Sequence, residues 1–305
     1  MKGKIIRSTG SWYSILDEAR NRYDARLRGK FKNEGLKVTN PIAVGDNVVF
    51  NLDEDGIALI TKIEARENYI IRKSTHKTGH GHLIASNIDQ AIIIATIANP
   101  RTSLGFIDRF LVSSEAFRIP AILVFNKEDL LSEEDKEFRE AIFDLYTSIG
   151  YTCMATSAQT EKGIAELKAT LEGKITLLSG HSGVGKSSLV NKIDPRLDLK
   201  TTAVSGFSKK GVHTTTFAEM FQIADKSFII DTPGIKELGM IDMEQGEIGH
   251  YFPEMRALVG ACKFHNCLHV NEPGCVIKEK VQSEEISESR YYSYLGMLEE
   301  KDSHR

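Results

Sequence analysis

Hydrophobic and polar positions change their period along these 305 residues. Over residues 1–72 short alternating segments are separated by turn signals. Residues 38–44 are followed by Gly45-Asp46 and 47–52 by Asp55-Gly56, and 57–63 opens another such run. Period-two alternation with turns at this spacing predicts a small all-β unit, compatible with a five-stranded OB-type barrel. After it, near-continuous apolar runs replace the alternation. Residues 91–97, 121–125, 175–179 and 228–230 predict buried strands of a mainly parallel sheet, and 107–117, 133–149 and 164–171 predict the helices that cover it. Residues 72–82 are polar, with His76, His80 and His82 around Gly79 and Gly81, and read as an interdomain loop rather than a metal site. The polar stretch 192–213 reads as a mobile segment. From about 241 a small Cys/His-containing module ends in a charged, helical tail. The expected organisation is therefore multidomain α/β: 1–72 a barrel, 73–240 an α/β domain and 241–305 a small helical module.

Composition sharpens this only locally. A hydrophobic fraction of 41% suffices for real cores, and a net charge of −3 marks no general polyanion binder. Residues 1–40, however, hold ten Lys/Arg against four Asp/Glu, with Arg20, Arg22, Arg26, Arg28 and Lys30 close together. Such a patch is either a solvated face or a phosphate-backbone contact surface. Trp12, Tyr13, Tyr23 and Phe31 lie among those charges and read either as barrel core and rim or as stacking platforms for single-stranded RNA. The longest apolar run, 91–98, is too short to span a membrane, and no secretory signal opens the chain, so a cytoplasmic protein is expected.

Chemistry enters through motif order. Asn126-Lys127-Glu128-Asp129 comes first and Thr156-Ser157-Ala158 second. The loop Gly180-His181-Ser182-Gly183-Val184-Gly185-Lys186-Ser187 follows, before His213-Thr214-Thr215-Thr216 and Asp231-Thr232-Pro233-Gly234. In the Gly180–Ser187 loop, glycines let backbone N–H groups approach phosphates, with Ser182, Gly183, Val184 and Ser188 completing the cradle. Lys186 supplies a point charge and Ser187 a hydroxyl for Mg²⁺. Asp231 can hold Mg²⁺ through water, and the Gly234 N–H can meet a γ-phosphate. The Asp129 carboxylate can accept from both the ring N–H and the exocyclic amine of guanine, a donor pair adenine lacks. Asn126 would tie the base loop to the phosphate side, the Lys127 stem can cover the purine, and the Ala158 N–H, after Ser157, can meet the guanine carbonyl. These parts imply GTP rather than ATP. Because the base-reading parts precede the phosphate-reading parts, the domain reads as circularly permuted. Thr215, with Thr214 close behind, is expected to meet Mg²⁺ and the γ-phosphate. Ile235 follows Gly234 where Ras-type enzymes carry a water-positioning glutamine, which leaves His213 as the nearest candidate for activating water.

Cys262, Cys267, His269 and Cys275 form C-x4-C-x-H-x5-C, a Cys3His donor set that fits one structural zinc ion in a reducing compartment. Cys153 lies in a strand-like run and reads as core.

Taken together these motifs resemble the RsgA family of circularly permuted GTPases associated with the small ribosomal subunit. The resemblance also rests on Ala85-Ser86-Asn87-Ile88-Asp89, Gly211-Val212-His213, Glu272-Pro273-Gly274 and Arg290-Tyr291-Tyr292-Ser293-Tyr294. It implies an OB domain, a central GTPase with GTP/GDP and Mg²⁺, and a C-terminal zinc domain. It further implies late maturation of the small subunit, hydrolysis stimulated by that subunit, rRNA contact, and a role for His213 in hydrolysis; a monomer is expected. Val212 departs from the arginine common at that position. The competing expectation is a zinc-containing RNA-binding module in which GTP is a structural or regulatory ligand.

Overall fold

The computed structural model describes residues 1–28, 40–73, 81–197, 218–231 and 243–302. Five strands open the chain: β1 (Lys2–Ser8), β2 (Tyr13–Asp17), β3 (Arg22–Leu27), β4 (Asn47–Leu52) and β5 (Ala58–Ile63). They pair in the order β1-β2-β3-β5-β4, and β4 returns to β1 through Lys2↔Val49, which closes a barrel. Alternation does the sorting. Ile5, Ile15, Val48, Phe50 and Ile60 point inward to the barrel core, whereas Arg22, Asp24 and Arg26 of β3 flank buried Ala25 and stay exposed. The aromatic residues differ in burial. Tyr13 is core, while Trp12 is 40% exposed with the Arg26 guanidinium 3.8 Å from its ring centroid. Lys30 and Phe31 lie outside the described residues.

Two sequence expectations need correction here. The described part of 38–44 forms no regular strand; only Val44 makes a bridge, to Ala85. Its register is taken instead by the turn at Asp46, whose fully buried carboxylate accepts from the Ala43 N–H, the Ser86 hydroxyl and two Arg66 nitrogens. The segment 72–82 is not wholly loop. Its ends belong to β6 (Tyr69–Lys73) and β7 (Gly81–Ser86), an antiparallel ribbon. His76 and His80 lie outside the described residues, as does the side chain of His82.

The central sheet is built from β8 (Gln90–Ala95), β9 (Ala121–Phe125), β10 (Thr152–Ala155), β11 (Ile175–Ser179), β12 (Glu219–Ala224) and β13 (Ser227–Asp231). Its order is β10-β9-β8-β11-β13-β12, with every pairing parallel except β13–β12. β12 escaped sequence reading because Phe221 and Gln222, both half-buried, break its alternation. It runs antiparallel to β13, and its Glu219 pairs with Arg7 of β1, so barrel and sheet run on into each other.

Helices α1 (Leu104–Ala116) and α2 (Glu133–Ser148) cover one face through Ile107, Phe110, Leu111, Ile142 and Tyr146. Helices α3 (Ile164–Leu171) and α4 (Lys186–Ile193) cover the other through Leu167, Leu171, Leu189 and Ile193. Ser103 caps α1, and a Ser132/Asp135 capping box starts α2, which explains where the apolar period begins in each.

The C-terminal module comprises α5 (Gln245–Ile248), α6 (Pro253–Arg256), α7 (Val276–Gln282) and α8 (Glu288–Asp302). Its core of Ile248, Phe252, Met255, Ile277, Tyr294 and Met297 also takes in Val112 of α1. The junction is electrostatic as well. Arg290 of α8 is fully buried, donating to Asp108 of α1 at 2.7 Å and to both carboxylate oxygens of Glu254 at 2.8 and 3.1 Å. The Tyr146 hydroxyl donates to the same Asp108 oxygen at 2.7 Å. Burial, with Asp108 adding, pushes the Tyr146 hydroxyl well above its ordinary range, so it remains a proton donor at any working pH.

Candidate guanine-nucleotide and metal sites

The carboxyl ends of the parallel strands gather the motifs, as open α/β sheets require. β9 delivers Asn126, β10 delivers Thr156 and Ser157, β11 delivers Gly180, and Asp231 closes β13 in register with Leu178 of β11. Two glycines show why the phosphate loop is written as it is. Gly180 has φ +141°, and a Cβ there would stand 2.3 Å from the Ile94 carbonyl oxygen. Gly185 has φ +93°, and its Cβ would stand 2.4 Å from Nδ2 of Asn126. The loop can thus lie against the base-reading segment only without a side chain at Gly185. The contact is specific: Asn126 Nδ2 donates to the Val184 carbonyl at 2.8 Å, and Asn126 Oδ1 accepts from the Thr156 hydroxyl at 3.2 Å. One asparagine therefore ties the Gly180–Ser188 loop to the segments 126–129 and 156–158.

Lys186 opens α4 directly after Gly185, and its ammonium donates to the carbonyls of Gly180 and, at 2.8 Å, His181. The side chain arches back over the loop it follows, which holds its charge against the first turn of that loop. Ser182 and Gly183 are exposed and Ser187 and Ser188 half-buried, while Val184 is core. Lys127 adopts φ 66° and its ammonium reaches the Asn99 carbonyl at 2.6 Å, which stretches the stem across the site. Asp129 accepts a short hydrogen bond from the Ser157 hydroxyl, and the Glu128 N–H donates to the Thr156 carbonyl at 3.1 Å. Ala158 is half-buried beside them. His213, Thr214, Thr215, Thr216 and Gly234 lie outside the described residues, as does the side chain of Asp231.

Several participants had no signal in the sequence. Phe106 of α1 stacks on His181 of the phosphate loop with centroids 3.8 Å apart. Pro100 packs against Gly183, its Cδ 3.5 Å from where a Cβ would stand. Cys153, read as core, is half-buried and packs against the central core; burial pushes its thiol up to about 12, away from the reactive thiolate.

The four metal-donor candidates converge. The sulfurs of Cys262, Cys267 and Cys275 and a ring nitrogen of His269 all lie within 4.8 Å of one another. His269 Nδ1 stands 3.6 Å from the Cys262 sulfur and 3.4 Å from that of Cys275. A tetrahedral zinc with ordinary Zn–S and Zn–N lengths gives sulfur–nitrogen edges of about 3.5 Å. The donor set and its geometry thus fit zinc and leave no position open for substrate. Sequence reasoning did not show what shapes the loop. The Glu272 carboxylate accepts from the N–H groups of Leu268, Val270 and Asn271 at 2.8, 2.8 and 3.1 Å. The hydroxyls of Tyr291 and Tyr294 on α8 donate to the carbonyls of His269 and Leu268, each at 2.6 Å. These are outer contacts of the kind that fix ligand orientation. Elemental analysis should find one zinc per chain, and Cys275→Ser should remove it. The substitution should also lower the thermal midpoint by roughly 10 °C, because metal binding is folding free energy for so small a module. Full-strength folding of the zinc-free protein would contradict this.

Comparison with known proteins agrees with the geometry. Residues 63–241 match the family model described as RsgA GTPase, and residues 2–60 that of the RsgA N-terminal domain. A protein of Cytophaga hutchinsonii named small ribosomal subunit biogenesis GTPase RsgA is 56% identical over 307 residues, covering all of both chains. One of Bacteroides thetaiotaomicron named small ribosomal subunit biogenesis GTPase RsgA 2 is 49% identical, covering 99% of this chain and 97% of its own. Among solved structures, YjeQ from Thermotoga maritima superposes with a TM-score of 0.79 at 36% identity, over 98% of this chain and 97% of that one. YloQ, described as a circularly permuted GTPase, gives 0.76 at 29% identity over 100% and 96%. With its permuted motif order, its closed barrel and its Cys3His cluster, the chain belongs to the RsgA GTPase family.

Proposed function

We propose that this protein hydrolyses GTP to GDP and phosphate while bound to the small ribosomal subunit, and that it assists that subunit's late maturation. The observation that carries the nucleotide reading is the Asn126 tie, which joins phosphate loop and base-reading loops in one rigid site. In this reading Asp129 and the Ala158 N–H select guanine, Lys127 covers its face, and the Gly180–Ser188 loop cradles the phosphates with Lys186 opposing their charge. Ser187 and Asp231, with Thr215, are the residues that would hold Mg²⁺, a hydroxyl and a carboxylate being the hard oxygen donors it takes. That ion would neutralise charge developing on the transferred phosphoryl group. His213 orients the attacking water, Thr214 supports the switch segment, and the Gly234 N–H meets the γ-phosphate.

The subunit reading is supported by the names of full-length relatives and by the exposed basic face around Arg22, Arg26 and Trp12. Such a face suits an RNA backbone. Zinc at Cys262, Cys267, His269 and Cys275 holds the third domain, with boundaries near 72 and 240. Among the described residues no helix is long and apolar enough to cross a membrane. The protein works as a cytoplasmic monomer on its ribosomal partner.

Base choice has a direct test. Asp129→Asn replaces an acceptor pair by one acceptor and one donor, which matches xanthine, whose 2-carbonyl stands where guanine has its amine. GDP affinity should fall roughly 100-fold while XDP affinity rises above it, both read by isothermal titration. Unchanged GDP binding in the variant would remove Asp129 from the base site.

A further inference from the structure

Within Asn126-Lys127-Glu128-Asp129, the third residue does not face the site. Glu128 turns away from it, with a side chain only 7% exposed, and its carboxylate is ion-paired to Arg139 of α2, itself 11% exposed. Lys162, at the end of the second base-reading loop, brings its ammonium to 3.5 Å of the same Glu128 oxygen. The Lys162 carbonyl in turn accepts from the Ser157 N–H at 2.9 Å. One buried carboxylate therefore meets a cation from the helix behind and a cation from the neighbouring loop. Glu128 also begins the short 3-10 turn Glu128–Leu130, so the backbone of Asp129 is fixed directly to it.

We propose that Arg139 is a positioning residue for guanine recognition, acting through Glu128. The inference rests on the guanine-site reading above and adds to it the device that holds the base-reading carboxylate in place. Arg139 is too deep to touch nucleotide, and the Ser157 hydroxyl that steadies Asp129 belongs to the second loop. The clamp by which Arg139 and Lys162 share Glu128 acts beside the Asn126–Thr156 and Ser157–Asp129 bonds and sets the direction in which the Glu128–Leu130 turn presents Asp129. Hydrogen-bond geometry weakens steeply outside a few tenths of an ångström, so a shift of Asp129 strains both of its bonds to guanine, the ring N–H and the exocyclic amine, while IDP offers only the ring N–H and loses less.

GDP and IDP differ only in that amine, and their affinity ratio isolates it. The test measures both dissociation constants by titration in the full-length protein, for wild type, Arg139→Met, Arg139→Lys and the double variant Glu128→Gln/Arg139→Met. Arg139→Met should reduce the GDP-over-IDP preference by about fivefold or more, while IDP affinity moves less than about threefold. Arg139→Lys should recover part of the preference. The double variant leaves no unpaired buried charge, so it should regain stability without regaining the preference. A purely structural ion pair predicts instead that both affinities fall together, or that the double variant restores the ratio; either result overturns the proposal. If Arg139→Met does not fold, the double variant alone decides, through the same ratio. A wild-type protein that binds IDP as tightly as GDP would contradict the guanine-site reading itself, a failure distinct from an unchanged ratio in the variants.

Discussion

Lys186→Ala should lower GTP turnover by about 10²- to 10³-fold, the order expected for removing one preorganised donor that stabilises the transition state. The structure gives two reasons for an effect at the upper end. The ammonium lies over its own loop, held by the Gly180 and His181 carbonyls, so it is placed before phosphate arrives and needs little reorganisation. It also helps to keep that loop closed, since the same two hydrogen bonds span its first turn. Triphosphate binding should therefore weaken together with turnover. Single-turnover hydrolysis and titration with a non-hydrolysable GTP analogue separate the two effects. Turnover within tenfold of wild type would mean that the loop is not the catalytic phosphate site.

The second large effect is on stability. Arg290→Ala should destabilise the protein by about 3–5 kcal/mol, because it leaves the Asp108 and Glu254 carboxylates buried without their cation. Both sit on opposite sides of the junction between the central domain and the C-terminal module, Asp108 on α1 and Glu254 on α6. A second link, Arg256 to Glu115 at 2.8 Å, is half-exposed and cannot compensate. Urea unfolding should show a lower midpoint or a separate early transition as the module detaches from α1. Arg290→Lys should recover little, since an ammonium cannot serve Asp108 and both oxygens of Glu254 as the planar guanidinium does. A midpoint unchanged by Arg290→Ala would show that apolar packing around Val112 and Phe252 alone holds the junction.

How much of this was legible in the sequence depended on how local its cause was. Strands β4, β9 and β11 and helix α3 carry their signal in their own residues and fall at the expected bounds. The phosphate loop and the Cys3His cluster were equally plain, because glycine spacing and donor spacing are local constraints. What escaped was set by distant partners. β12 is a strand because β13 and β1 border it, not because its own alternation is clean. The ribbon of β6 and β7 hides in polar residues that resemble a loop until they are paired. Arg290 belongs to a run that carries part of the family resemblance, but only burial against Asp108, 182 positions away, reveals what it does. Glu128 has no role of its own in the sequence reading of Asn126-Lys127-Glu128-Asp129, and nothing in sequence links it to Arg139. Aromatic residues among basic ones were ambiguous in principle, and the barrel resolved them in opposite directions: Tyr13 inward and Trp12 outward.

The most direct test of the whole account is GTP turnover with and without purified small ribosomal subunits. Salt should be fixed, because backbone contacts to RNA are salt-sensitive, with large subunits and Lys186→Ala protein as controls. The account predicts slow turnover alone, strong stimulation by small subunits only, and none in the variant. Turnover unmoved by small subunits in a protein that binds GTP tightly would contradict it.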